Sequence, residues 1–263
     1  MKKLFFPIAL AALLVPCAAA QNVFEGTWKI DFSKVDFPAK PDQYLLQDGI
    51  YSCKTCNDAV PVKADGADQP ATGFPYADTI AVKTVSDHQV ELTFKKGGNV
   101  VASSTMTVSP DGKTLTVDFS DSSATNGGPP VTGKSISTRV AEGPAGSHLV
   151  SGSWHATKLE GMSDNAVAFT YKVSGDELTM TNPTGQSYTA KLDGTDAPYK
   201  GDPGTTSVSV RMVGKDTLEE TDKRDGKVLS VSKMTVGPDG KTAKISVDDM
   251  RQKTTVSFSA TKQ

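Results

Sequence analysis

Cysteine, histidine and tryptophan are all scarce in this chain of 263 residues, which has three Cys, three His and two Trp. So few thiols and imidazoles exclude a finger-type zinc site. Cys53-Lys54-Thr55-Cys56 is the only close cysteine pair, no second pair follows at the required spacing, and His88, His148 and His155 each stand alone. No Gly-x-Ser-x-Gly elbow is present, so acyl-transfer chemistry has no foothold. Neither sign of charge dominates: 28 Lys and Arg face 30 Asp and Glu, which leaves no basic excess to grip nucleic acid or an anionic membrane. Only residues 4–15 form a sustained apolar run, and it is shorter than the roughly 20 residues that span a bilayer. These absences assign no catalytic residue, metal ligand or cofactor.

What is present begins with an address. Lys2 and Lys3 precede that apolar run, and Ala18-Ala19-Ala20 supplies small residues for cleavage, so residues 1–20 read as a secretory signal peptide. The expected location is periplasmic or extracellular, with no transmembrane segment in the mature chain. Acylation at Cys17 as a lipoprotein is the alternative, disfavoured by Pro16. In an exported chain Cys53 and Cys56 are expected to form a local disulfide.

The strongest signal is internal repetition. Residues 65–121 align without a gap onto 193–249, a constant offset of 128, with 23 identities in 57 positions. An earlier anchor, Gly26-Thr27-Trp28, recurs as Gly152-Ser153-Trp154. A period near 127 suits an independently folding domain rather than a solenoid repeat. The expected division is residues 21–140 for the first β-barrel repeat, 141–149 for a linker rich in small residues, and 150–263 for the second.

Within each copy the apolar residues alternate, as in Ile80/Val82, Leu115/Val117/Phe119, Val208/Val210/Met212 and Ala243/Ile245/Val247. Alternation of this kind predicts half-buried strands. Lys83, Arg211 and Lys244 occupy the opposite face, which belongs in water and argues against a membrane barrel. Pro110-Asp111-Gly112 and Pro238-Asp239-Gly240 predict hairpin turns, as do Lys96-Gly97-Gly98-Asn99, Gly175-Asp176 and Arg224-Asp225-Gly226-Lys227. About eight strands per copy are expected, giving an all-β protein of two tandem antiparallel up-and-down barrels.

Gly26-Thr27-Trp28-Lys29, Gly73-Phe74-Pro75-Tyr76-Ala77-Asp78 and the Asp-Gly-Lys-Thr turns resemble a family of uncharacterised exported bacterial β-domain proteins. The Gly-x-Trp start is also similar to that of lipocalin-like (calycin) barrels, a resemblance that implies a Trp closing one end of each barrel. Copy two departs from copy one at Gly204, Thr205 and Thr206, which replace Tyr76, Ala77 and Asp78.

The function expected from these features is non-catalytic. One reading is a carrier holding a small hydrophobic ligand in a cavity lined by residues such as Val90, Leu92, Val100, Met106 and Val117. The other is a structural or interaction module for an envelope protein. Trp28 and Trp154 are expected in the core rather than at a ligand. Glu220 and Asp222 conflict with the pattern, because they replace Leu92 and Phe94 on an inward face and so imply a wet mouth or a polar cavity. The insertion 122–134 occurs in copy one alone and is expected as a tolerated loop that has the option of gating a mouth.

Overall fold

The computed structural model describes residues 22–56 and 61–263; the expected signal peptide, residues 1–20, and with it Cys17 lie outside them. The described chain is all-β, with a single 3-10 turn at Asp164–Ala166, and contains no helix long and apolar enough to cross a membrane. Its strands form two ten-stranded antiparallel sheets, each curled into a nearly closed barrel.

The first barrel contains β2 (Asp42–Gln47), β3 (Ile50–Cys53), β4 (Val62–Lys63), β5 (Gln69–Pro70), β6 (Thr79–Ser86), β7 (Gln89–Lys96), β8 (Asn99–Val108), β9 (Thr114–Asp121), β10 (Val131–Glu142) and β11 (Gly152–Glu160). The second contains β1 (Gly26–Asp36), β12 (Ala168–Ser174), β13 (Glu177–Thr181), β14 (Ser187–Lys191), β15 (Asp193–Pro198), β16 (Ser207–Met212), β17 (Thr217–Arg224), β18 (Lys227–Val236), β19 (Thr242–Asp249) and β20 (Thr254–Lys262). Ten strands replace the expected eight because pieces such as Val62–Lys63 and Gln69–Pro70 are too short for any alternation to register. Closure differs between the barrels. The Gln69 side-chain amide links the backbone of Lys63 on β4 to β5, whereas Ser187 on β14 bridges Lys200 just beyond β15.

The sheets do not divide where the repeat divides. β1, the first strand of copy one, lies between β12 and β20 of copy two, and its counterpart β11 lies between β10 and β2 of copy one. The expected units 21–140 and 150–263 have therefore exchanged first strands. Trp28 sits fully buried in the core formed by copy two, and Trp154 in that of copy one. Loop closure gives the physical reason: β10 leads through the short connection 143–151 directly into β11, and a local antiparallel hairpin closes at lower entropic cost than the long return to β1. Once β11 holds the place beside β10, the equivalent place open to β1 is beside β20.

Alternation predicted the inward faces well. Val82, Leu115, Val208, Val210, Ala243 and Ile245 are buried, while Lys83, Arg211 and Lys244 face solvent. The Pro-Asp-Gly turns form as expected. Gly112 and Gly240 adopt φ of 74° and 63°, a left-handed conformation that L side chains rarely adopt, and Ser109 and Gly237 close the two hairpins through backbone bonds to Thr114 and Thr242.

Candidate ligand site between the barrel mouths

Both tryptophans are buried in the barrel cores, where the indole Nε1 atoms of Trp28 and Trp154 donate to the carbonyls of Phe24 (2.8 Å) and Val150 (2.9 Å). A cation covers each ring. The Arg139 guanidinium lies 4.0 Å from the Trp154 ring centre, and the Lys262 ammonium lies 5.0 Å from that of Trp28. Both tryptophans thus serve the core.

The barrel mouths meet at a cavity of about 590 Å³, lined from the first barrel by Tyr51, Ile80, Leu92 and Phe94 and from the second by Asp222, Ser230, Val247 and Asp249. A second cavity, of about 440 Å³, adjoins it through Phe74, Tyr76 and Phe94. A third, of about 200 Å³, lies within the second barrel, where Glu220 and Met234 reach it. The aromatic wall is continuous, since the Phe74 ring centre lies 5.5 Å from that of Phe94 and 5.6 Å from that of Tyr76.

The expected lining is corrected in part. Leu92 borders the 590 Å³ cavity, but Val90 and Met106 are packed in the first core and Val117 packs against it. Val100 is 56% exposed. A bulge between Phe94 and Lys95, where the partners jump from Ala102 to Val100, turns Val100 outward.

Glu220 and Asp222 do point inward, in register with Ser232 and Ser230 on β18. Tyr171 and Tyr188 donate their hydroxyls to Glu220 Oε2, the former at 3.4 Å. Burial, reinforced by the Asp222 charge, pushes the Glu220 pKa up to about 8. Burial also raises that of Asp222. Ser230 Oγ donates to Asp222 Oδ2 at 2.9 Å, and the Glu220 carboxyl, which keeps its proton, hydrogen-bonds the Asp222 carboxylate. Tyr171 and Tyr188 are held well above the usual phenol range by burial and by Glu220. Sequence reading found the acids but missed these two tyrosines. Their inward parity opposite the acids was the one available signal.

Loop 122–130 contacts the second barrel. Asn126 Nδ2 donates to the carbonyls of Thr184 (3.0 Å) and Gly201 (3.1 Å), Gln186 Nε2 donates to Ala124 O (3.3 Å), and buried Thr125 lines the second cavity. The insertion therefore walls the intermouth space and ties the copies together.

Cys53 and Cys56 are disulfide-bonded, with Cα atoms 5.4 Å apart, and both border the large cavity. Two of the three histidines serve local structure: His88 Nδ1 meets Val108 O at 3.0 Å and His148 Nε2 meets Ser86 O at 2.7 Å. Among the described residues no group of three or more His, Cys, Asp or Glu is placed to hold a metal ion. No family model matches the chain, and no curated protein matches it in sequence.

Proposed function

We propose that this is an exported, non-catalytic binding protein that holds a small, largely apolar ligand between two lipocalin-like barrels. The observation that carries this reading is the 590 Å³ cavity, whose volume suits a small molecule and whose first-barrel wall is apolar and aromatic. The ligand enters between the barrels rather than into one barrel, because Trp28 and Trp154 are buried in the two cores and Val90 and Met106 fill the first interior. Oxidative export accords with the Cys53–Cys56 pair at the cavity wall.

Titration of the mature protein with N-phenyl-1-naphthylamine, an environment-sensitive apolar probe, tests this. Saturable fluorescence enhancement is expected for the wild type. Ala71→Trp, which places an indole in the cavity, should weaken it at least ten-fold. An absence of saturable binding, or binding unaffected by Ala71→Trp, would overturn the assignment.

A further inference from the structure

We infer that the 440 Å³ cavity is a second ligand site, taking a small aromatic molecule, so that each chain carries two ligands with the Phe74 and Tyr76 rings as their common wall. This inference rests on the proposed binding function and adds a site to it.

A chain written twice and packed mouth to mouth presents each face twice, so a contact made by one copy is made again by its counterpart with the roles exchanged. The two cavities obey that rule. On β8, Val101 and Ala102 line the 440 Å³ cavity; 128 positions later, Leu229 and Ser230 on β18 line the 590 Å³ cavity. On β9, Phe119 and Asp121 line the smaller, and their counterparts Val247 and Asp249 on β19 line the larger. Phe74 and Tyr76 border both cavities, while their own counterparts are divided, Asp202 going to the smaller and Gly204 to the larger. The smaller cavity is therefore the same structural feature as the larger one, built with the copies exchanged. Its volume also suits a small molecule.

Divergence between the copies sets what the smaller cavity would hold. Phe119 stands where the larger cavity has Val247, and with Phe74, Tyr76 and Phe94 it completes four rings around the space. Tyr76 meets Phe74 edge-on and Phe94 stacks beside it, the arrangements by which a further ring is held. Asp121 and Asp202 line the same cavity, which favours a neutral ring over an anionic one. Loop 122–130 supplies another wall through Ala124 and Thr125, and Asn126 pins that loop to Thr184 and Gly201.

Isothermal titration of the full mature chain with 1-naphthol counts the sites, and two equivalents are expected. Ala124→Trp, which fills the smaller cavity from its loop, should remove one equivalent and spare the other; Ala71→Trp should do the converse. Thermal melts check folding, and Ser123→Trp repeats the test from the same loop. Decahydro-1-naphthol, the saturated counterpart, should bind at least three-fold more weakly at the step that Ala124→Trp removes. The bulkier N-phenyl-1-naphthylamine has its tight step in the larger cavity, where there is more room. A single equivalent, lost in Ala71→Trp and kept in Ala124→Trp, would overturn this inference while leaving the proposed function standing. A single equivalent lost in both variants would show one ligand spanning both cavities and would overturn it too. Equal binding of the saturated probe at that step would overturn the aromatic assignment. If no probe bound, the cavity assignment itself would fall, and the inference with it.

Discussion

The hydroxyl of Tyr76 rests on Gly204, its own counterpart 128 positions later in the second copy. A Cβ built on Gly204 would lie 1.9 Å from that oxygen and 2.4 Å from the ring carbon bearing it. The backbone at Gly204 is not left-handed, so room for the Tyr76 ring is what demands glycine here. The same position carries a knob in one copy and a hole in the other, which locks the barrels mouth to mouth.

Gly204→Ala is therefore expected to destabilise the protein by about 1–3 kcal/mol, the usual cost of overpacking, although alanine suits the backbone. Tyr76→Phe should not relieve the clash, because the ring carbon stays in place. Tyr76→Ala combined with Gly204→Ala should be more stable than the sum of the two single changes predicts. Additive effects in a double-mutant cycle, followed by chemical denaturation, would count against direct contact.

Arg139 should matter far more than its place near a barrel end suggests. Its guanidinium donates to the carbonyls of Gly112 (2.5 Å), Ser151 (2.7 Å) and Leu149 (2.5 Å) while covering Trp154. Arg139→Ala leaves three carbonyls and an indole face without their partner, and a loss of roughly 2–4 kcal/mol is expected. Arg139→Lys should recover only part of it, since an ammonium cannot reproduce the planar fork. A midpoint unchanged in Arg139→Ala would show that water replaces these bonds.

How much of this was legible follows from what a pattern of alternation encodes. Inward parity at Val82, Leu115, Val208 and Ile245 was readable, as were the Gly112 and Gly240 turns, because both depend on neighbours in the chain. Strand exchange was not readable. Gly26-Thr27-Trp28 and Gly152-Ser153-Trp154 are nearly interchangeable, so either strand satisfies either barrel, and connection length decides between them. Val100 was misplaced because a bulge shifts parity without leaving a composition signal. The acids at 220 and 222 stood out against the repeat, but the Tyr171 and Tyr188 hydroxyls that meet them come from strands remote in sequence.

The buried acid pair makes stability depend on pH. Folded Glu220 keeps its proton up to about pH 8, whereas in the unfolded chain it ionises near 4.5. Asp222 on its own strand, Tyr171 on β12 and Tyr188 on β14 face it, and Asp202 lies near Asp222. Between those two values the folded state binds more protons than the unfolded state, so this group's contribution weakens as pH rises through the window. It is fully favourable below 4.5 and lost above 8. Glu220→Gln, neutral throughout, should flatten that part of the profile and raise the melting temperature at pH 8 relative to wild type. A variant whose melting profile from pH 5 to 8 parallels that of the wild type would remove Glu220 as the cause.

Strand exchange makes the most discriminating prediction, because each tryptophan should support the copy to which it does not belong. Trp28 is fully buried among Leu178, Val208, Val210, Leu218 and Val236, all from copy two. Trp154 is buried among Leu46, Val90, Val108 and Leu115, all from copy one. Truncating a core Trp to alanine costs about 3–5 kcal/mol, and the loss falls first on the packing around the cavity it leaves. In hydrogen exchange of the full mature chain, Trp28→Ala should speed exchange in β12–β20 while sparing β2–β10. Trp154→Ala should speed exchange in β2–β10 and spare β12–β20. If Trp28→Ala instead loosened β2–β10, each first strand would belong to its own copy in solution, and the exchanged topology would be wrong.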